Sequence, residues 1–135
     1  MVPAVCRDGP VNCHVRFFAG DVCVVEVRVG DNLDVRGKGS DLFEALASVR
    51  RDLKAYGVLL ACNGARQDVF PSPMLRQATM GRRAYVLTMP RSTAAPPTVD
   101  IFATAPESSV LATVEEQRVW FDRWRQAGPG ERGSR

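Results

Sequence analysis

Four arginines lie on or beside one long polar connection, residues 64–83, and they are the side chains best suited to binding chemistry in this chain. They are Arg66, Arg76, Arg82 and Arg83. A guanidinium group presents a planar fork of donors that matches phosphate and carboxylate groups. Ser72-Pro73 predicts the start of a short helix in the connection, and amides at a helix start also suit an anion. The segment therefore indicates a binding site, with a nucleotide or another anionic small molecule as one candidate ligand.

A second interpretation of the same segment is a surface for a protein partner. Asp68 and Phe70 add an acidic group and an aromatic anchor to the arginines, and long connections on a rigid scaffold often carry binding residues. The chain has no glycine-rich phosphate loop, and only Phe70 and Tyr85 could stack on single-stranded nucleic acid. We therefore expect a protein partner first and keep the anionic ligand as the alternative. The sequence argues against nucleic acid.

Cys62 is the residue best placed for nucleophilic catalysis, since it ends a short apolar run just before Asn63-Gly64. A reactive thiol needs a pKa lowered by a histidine, a cation or a helix N-terminus. Arg66 is near in sequence, but no base can be placed beside the thiol, and cysteine is more often a buried apolar residue. We expect Cys62 to be structural. If Cys62 were a nucleophile, the protein would instead be an enzyme that uses this thiol together with the arginines of the connection, and we keep this as part of the alternative interpretation.

His14 is the only histidine, and the strand register given below places it opposite Glu26. Such a pair would orient a general base, although a solvated cross-strand pair is the favoured interpretation. Zinc ligation by Cys6, Cys13, His14 and Cys23 is not supported, because their spacing matches no zinc pattern. The sequence thus predicts no catalytic residues, no metal site and no cofactor.

Alternating apolar residues predict an antiparallel meander of three strands near the start of the chain. A three-residue loop at 19–21 brings the apolar faces of the first two strands together. The predicted pairs are Phe17 with Cys23, Val15 with Val25, Cys13 with Val27 and Val11 with Val29. A second three-residue loop at 30–32 aligns the next strand in the same way and pairs Val29 with Leu33 and Val27 with Val35.

Two long helices are predicted, at about 41–56 and 113–127. Ser40 is the expected N-cap of the first helix, and Gly57 is the left-handed residue expected after it. Its apolar positions fall within about 100° of arc on a helical wheel; they are Leu42, Ala45, Leu46, Val49, Leu53 and Tyr56.

The second long helix begins with a capping box, Thr113 and Glu116. Trp120 and Trp124 share its apolar stripe with Val114 and Phe121, which predicts that both tryptophans belong to the core. Between the two helices, the pattern predicts a short helix at 74–80 and strands near 83–89 and 98–103. A linker rich in proline, alanine and threonine spans 90–97.

The order of these elements resembles a ribonuclease-H-like topology over residues 11–127. The resemblance implies one mixed sheet and, in nucleases of that family, acidic residues that hold divalent metals on the first strand, first helix and fourth strand. Here the first strand has no carboxylate at 11–18, the fourth ends in Cys62-Asn63, and only Glu44 suits the helix position. The metal site is therefore absent, and a generic α+β layer fits the element order equally well.

Composition limits the class of protein. The chain has 135 residues, 45% of them hydrophobic and 24% charged, which predicts one globular domain at 1–127 and a disordered tail at 128–135. A net charge of +3 is too small to indicate nucleic-acid binding. No apolar run reaches the ~18 residues of a membrane span, and the N-terminus lacks the features of a signal peptide. Four cysteines without a CxxC pair favour the cytosol.

The sequence as a whole predicts an α+β domain. Its three-stranded meander would be extended by one or two strands into a single mixed sheet, covered by the helices at 41–56 and 113–127. We expect a small cytosolic, non-catalytic interaction protein, such as a regulatory or immunity-type partner, that binds through segment 64–83. The predicted binding residues are Arg66, Asp68, Phe70, Arg76, Arg82 and Arg83. The oligomeric state is not predicted.

Overall fold

The computed structural model describes residues 2–6 and 9–127, so the predicted tail at 128–135 lies outside the described residues. Within them the chain forms eight strands and three α-helices. In chain order they are β1 (Val2–Cys6), β2 (Gly9–Phe18), β3 (Cys23–Val29), β4 (Leu33–Gly39), α1 (Leu42–Lys54), β5 (Leu59–Leu60), β6 (Val69–Phe70), α2 (Pro73–Thr79), β7 (Arg83–Val86), β8 (Thr98–Asp100) and α3 (Val114–Ala127).

The strands form two antiparallel sheets. The first has the order β4-β3-β2-β1-β5 and the second has the order β6-β7-β8. The α+β class is confirmed, but the single mixed sheet is wrong, and so is the sheet that the ribonuclease-H-like order implied. The reason is β1, which the sequence analysis missed: it lies between β2 and β5 and pairs with both in antiparallel fashion.

The meander is confirmed, with one difference in register. Between β2 and β3 the pairs are Phe17–Val25, Val15–Val27 and Cys13–Val29, two residues away from the predicted pairing. A shift of two leaves every side chain on the same face of the sheet, so the hydrophobic pattern does not distinguish the two registers. Between β3 and β4 the predicted pairs Val29–Leu33 and Val27–Val35 are present.

Helix α1 packs on β3 and β4. Its N-cap is Asp41 rather than the predicted Ser40: the Asp41 carboxylate accepts from the amide of Glu44 at 2.8 Å. Gly57 follows the helix with φ of 72°, as predicted. Glycine is required at Gly37 for another reason, since a Cβ there would lie 2.7 Å from the Ala45 carbonyl oxygen in α1. The close approach of helix and strand depends on that missing side chain.

The two later helices begin as predicted. Ser72 caps α2 by accepting from the Leu75 amide, and Thr113 and Glu116 form the capping box of α3. The buried residue of α3 is Gln117, whereas Trp120 and Trp124 are half-buried and pack against the core. The tryptophans therefore contribute to the core without being enclosed by it.

One hydrophobic cluster joins the two sheets and α1. Leu46, Leu53 and Leu60 are among its fully enclosed side chains. Tyr56 was expected on the buried stripe of α1 but is 63% exposed, because the helix ends at Lys54. Among the described helices, none has both the length and the hydropathy that crossing a bilayer would need.

Candidate functional site

The first part of the predicted binding segment does not project from the molecule, because backbone hydrogen bonds hold it against residues 101–112. The amides of Asn63, Gly64 and Gln67 donate to the carbonyl oxygens of Ala103, Ile101 and Val110, respectively. In the opposite direction, the Ala112 amide donates to the Ala65 carbonyl oxygen, and all four distances are 2.8 or 2.9 Å. A single 3₁₀ turn, Asn63–Ala65, lies in the middle of this region. The segment that bears Arg66 and Asp68 is therefore part of the rigid body of the protein.

Arg66 and Asp68 form a bidentate ion pair at the surface end of this segment. The Arg66 Nε and Nη2 atoms donate to the two Asp68 carboxylate oxygens, each at 3.0 Å. The Nη1 atom lies 3.3 Å from the Asn63 Oδ1 atom, and the Arg66 side chain is only 12% exposed. Such a fork-to-fork pair fixes both side chains in one geometry, so they present a preformed polar edge.

Two grooves meet at this edge, and we call them together the Trp120 groove. The larger has a volume of about 480 Å³, and its lining includes Arg66, Gln67 and Asp68 together with Met89, Val110 and Trp120. The second, of about 320 Å³, shares Gln67 and Trp120 with the first and continues along α3 past Val119. Trp120 is thus the side chain common to both grooves, together with Gln67.

Three exposed apolar side chains border the Trp120 groove. Val110 is 60% exposed and Val119 is 54% exposed, and Met89 is also among the exposed apolar side chains. The charges beside them are mixed, two cations and three anions: Arg66, Arg123, Asp68, Glu115 and Glu116. The Trp120 groove therefore combines one large aromatic side chain with exposed apolar groups and charges of both signs.

The other predicted site residues lie elsewhere. Phe70 was predicted to be the aromatic anchor of the binding segment, but its side chain is only 8% exposed. Its ring stacks on Phe121 with centroids 4.0 Å apart and meets Phe43 edge-on at 5.3 Å. The cause is β6, which turns Phe70 inward between α1 and α3.

The three remaining arginines each have partners within the protein. Arg76 on α2 pairs with Asp41 at 3.0 Å and lies over the Phe43 ring. Arg82 pairs with Asp100 at 3.0 Å, and Arg83 donates to the side chain and carbonyl oxygens of Thr98. None of the three lines the Trp120 groove. The structure therefore brings Arg66 and Asp68 together and separates them from the other predicted binding residues, whose role in binding stays a prediction.

A buried polar network supports the groove from below. The Arg50 guanidinium donates to the Gln117 side-chain oxygen at 2.8 Å and to two backbone oxygens, those of Gly64 and Ala112. The Gln117 amide nitrogen lies 2.8–3.0 Å from the carbonyl oxygens of Gly64, Arg66 and Val69. Through these two side chains, α1 and α3 hold the segment that carries Arg66.

Burial lowers the pKa of Arg50 to about 10, which leaves the guanidinium charged at neutral pH. Its hydrogen-bond partners in the described structure are neutral oxygens rather than carboxylates. A buried charge of this kind is tolerated only when its donors are satisfied. The network therefore fixes the backbone beneath the groove. A single substitution at Arg50 or Gln117 should weaken the contacts of α1, of α3 and of that backbone at once.

Cys62 has the environment of a structural thiol. It is 2% exposed, and burial raises the pKa of its thiol, while Arg50 and nearby backbone amides act in the opposite direction. Burial also raises the pKa of Cys13, to about 11. Both thiols are therefore protonated at neutral pH, which does not suit a nucleophile.

The predicted pair of His14 with Glu26 is wrong. His14 lies opposite Arg28, while Glu26 lies between Arg16 and Arg36 at 3.7 and 3.6 Å. The two-residue difference in register is the cause. In residues 2–6 and 9–127, no group of three or more histidine, cysteine or acidic side chains is arranged to hold a metal ion.

Sequence reasoning missed Trp120 as a groove residue and missed both members of the buried network. A signal is present for Gln117, which lies at the centre of the apolar stripe of α3, three residues before Trp120 and four before Phe121. Arg50 gives a weaker signal, because at 100° per residue it lies about 40° beyond Leu46, just outside the predicted stripe of α1. A polar residue centred on an apolar stripe indicates a buried hydrogen-bonding partner.

No protein-family model matches this chain, and no curated protein matches it.

Proposed function

We propose that this protein is a non-catalytic binding domain that holds a segment of a partner protein in the Trp120 groove. The observation that carries the proposal is the position of Trp120 in two connected grooves, whose lining also includes exposed apolar side chains and the fixed Arg66–Asp68 pair. A half-buried tryptophan beside a polar edge is a common anchor at protein interfaces.

The balance of charge supports a protein partner over an anionic small molecule. Arg66, Arg76 and Arg82 are each matched by a carboxylate at 3.0 Å, so an anion would have to displace an existing ion pair. The Trp120 groove instead offers exposed apolar surface, and a partner that removed this surface from water would gain binding free energy. An extended segment with one apolar side chain toward Trp120 and polar groups toward Arg66 and Asp68 fits this surface.

The sequence predicted binding through the segment at 64–83 and assigned the tryptophans of the terminal helix to the core. In the proposal they act together, since Arg66 and Asp68 come from the segment and Trp120 comes from α3. The binding residues of the proposal are then Arg66, Asp68 and Trp120, with Val110 and Val119 at the rim. We propose a cytosolic role, which the four free cysteines favour.

The test uses two rim variants and one matched control. Val110→Asp and Val119→Asp each place a charge on the apolar rim, whereas Val22→Asp does so at a comparably exposed valine, 57%, on the β2–β3 loop. We expect the parent and Val22→Asp to retain a stoichiometric partner on co-purification, and both rim variants to lose it while their thermal midpoints stay close to that of the parent.

The binding position is checked by hydrogen exchange on the purified complex. Protection confined to residues 66–68, 108–110 and 116–123 supports the proposal. Equal loss of the partner in Val22→Asp, or protection on a different surface, contradicts it. Native mass spectrometry that shows a retained anionic small molecule instead of a partner chain would favour the alternative, a small-molecule site or an enzyme that uses the arginines of 64–83.

A further inference from the structure

Strand β4 is an open edge of the five-stranded sheet. It has seven residues, Leu33–Gly39, and pairs with β3 on one side. In the part of the chain that the structure describes, no backbone hydrogen bond joins its other side to any element. Such an edge presents a row of free amide and carbonyl groups that can pair with another strand. The length of β4 distinguishes it from β5, the opposite edge, which has two residues.

The sequence of β4 is complementary to itself. When two copies are placed antiparallel about Val35, Asp34 of each lies opposite Arg36 of the other, and the two Val35 side chains face each other. Asp34 and Arg36 both lie on the exposed face of the strand, while Val35 is buried on the face toward α1. Opposite charges directly across an antiparallel pair are stabilising, and like charges are not.

The same charges already form cross-strand pairs within one chain. Asp34 pairs with Arg28 at 3.0 Å, and Arg36 pairs with Glu26 at 3.6 Å. Arg28 lies directly opposite Asp34, and Glu26 lies directly opposite Arg36. Because residues directly opposite share a face, all four side chains lie on the exposed face of the sheet, away from the buried Val35. A second copy would therefore extend an existing ladder of alternating charge across the new strand pair.

A second feature lies beside the same edge. A groove of about 400 Å³ runs between β4 and the C-terminal part of α1, lined by Asp34, Val35 and Arg36 of the strand and by Asp52 and Tyr56. Tyr56 is the most exposed aromatic side chain among the described residues, at 63%. The groove borders Val35, where the two-fold axis of the strand pair would pass. Each Tyr56 would therefore contact the second copy close to that axis.

From these observations we propose that the protein forms a symmetric homodimer through β4, in which the two five-stranded sheets join into one. The partner is a second copy of this chain, because Asp34 and Arg36 of one copy are complementary to Arg36 and Asp34 of the other. A two-fold axis makes both halves of the contact equivalent, as closed dimers require. The edge shares no residue with the Trp120 groove, so the dimer is independent of the proposed function.

The neighbouring register contains a like-charge pair at its centre, which the proposed register does not. Placing the two-fold axis at Arg36 sets Arg36 against itself and Asp34 against Lys38. The two registers therefore differ in whether Lys38 has an acidic partner in the second copy. In the proposed register Lys38 lies opposite Asn32, outside the strand, so its charge contributes little.

The test is a charge exchange between two variants. Asp34→Arg alone places two arginines opposite each other at both symmetry-related positions of the dimer, and Arg36→Asp alone places two acidic residues opposite each other at both. We expect each variant to be monomeric when the parent is dimeric, measured by sedimentation at matched concentrations. Mixed in equal amounts, the two variants restore both opposite-charge pairs, and we expect a heterodimer.

Two further variants complete the test. Lys38→Asp is the matched charge control and should leave the dimer intact, while Tyr56→Ala should raise the dimer dissociation constant by about tenfold or more. Circular dichroism melts of each variant establish that it is folded. A parent that sediments as a single chain at every concentration overturns the proposal, and so does a mixture of Asp34→Arg and Arg36→Asp that stays monomeric while both variants are folded.

Discussion

At the scale of single residues, burial decides the chemistry of the side chains that looked reactive. Cys62 follows a strand in a position that displays nucleophiles in other folds, yet the surrounding core encloses it and raises the pKa of its thiol. His14 is exposed and faces Arg28 instead of a carboxylate. The side chain with the most demanding environment is Arg50, whose guanidinium is buried among neutral oxygens.

The thiols provide a test at this scale. We expect a thiol-specific probe at neutral pH to label Cys6, which is half-buried, and to leave Cys13, Cys23 and Cys62 unlabelled, since these three are buried. Peptide mapping identifies the labelled positions, and the same reaction in urea, which should label all four, is the control. Fast labelling of Cys62 in the folded protein would instead support the alternative, an enzyme that uses this thiol.

The pH dependence of these thiols has a definite sign. The folded pKa of Cys13 is about 11, above the unfolded value of 9.0, so the neutral thiol is favoured by folding. Its contribution to stability is therefore complete below about pH 9 and is lost as the pH rises through the folded pKa. Native-state labelling of Cys13 should accordingly stay slow up to about pH 9 and increase only above it.

At the scale of elements, the buried pair of Arg50 and Gln117 explains why the predicted binding segment is rigid. The first part of the segment, before α2, has little regular structure of its own, a single 3₁₀ turn and the two-residue strand β6. Its carbonyl groups are instead satisfied by side chains from α1 and α3. Two helices far apart in sequence therefore share one function, which is to fix the polar edge of the Trp120 groove.

The substitution Gln117→Leu tests this arrangement. It removes one of the three acceptors of Arg50 and takes away the amide donor near the buried carbonyl oxygens of Gly64, Arg66 and Val69, so we expect the free energy of unfolding to fall by roughly 3 kcal/mol or more. Urea denaturation measures the change. Gln126→Leu is the matched control, because Gln126 lies on the same helix but is exposed, and its effect should stay within about 0.5 kcal/mol. Similar losses in both variants would show that the network does not carry the stability assigned to it.

At the scale of the whole molecule, the two proposed contact surfaces use different parts of the fold. The Trp120 groove is formed by α3 and by segments 66–68, 87–89 and 106–110, whereas the dimer contact is formed by β4 and the end of α1. Their residues do not overlap. A dimer would therefore carry two grooves, and each groove would bind its own partner chain.

The stoichiometry of the complex follows from this arrangement. We expect two partner chains for each dimer of the parent, and one partner chain for the Asp34→Arg monomer, with the same dissociation constant for each groove. Isothermal titration combined with light scattering measures both quantities. A monomeric variant that is folded but binds its partner much more weakly would show that the groove and the β4 edge are coupled, contrary to this expectation.

The sequence by itself determined the local elements of this protein. The alternation at 11–35 specifies the meander, and the apolar stripes specify α1 and α3, the latter with its capping box, because the periods of strand and helix are properties of neighbouring residues. The cap of α2 at Ser72 and the left-handed Gly57 follow for the same reason.

Only the tertiary structure decided how those elements meet. The insertion of β1 between β2 and β5, the register of β2 on β3, and the inward turn of Phe70 all depend on contacts between distant parts of the chain. A local pattern states which face of an element is apolar, but it does not state which neighbour covers that face. For that reason the sequence marked Arg66 and Asp68 as binding residues, while only the folded chain placed Trp120 beside them.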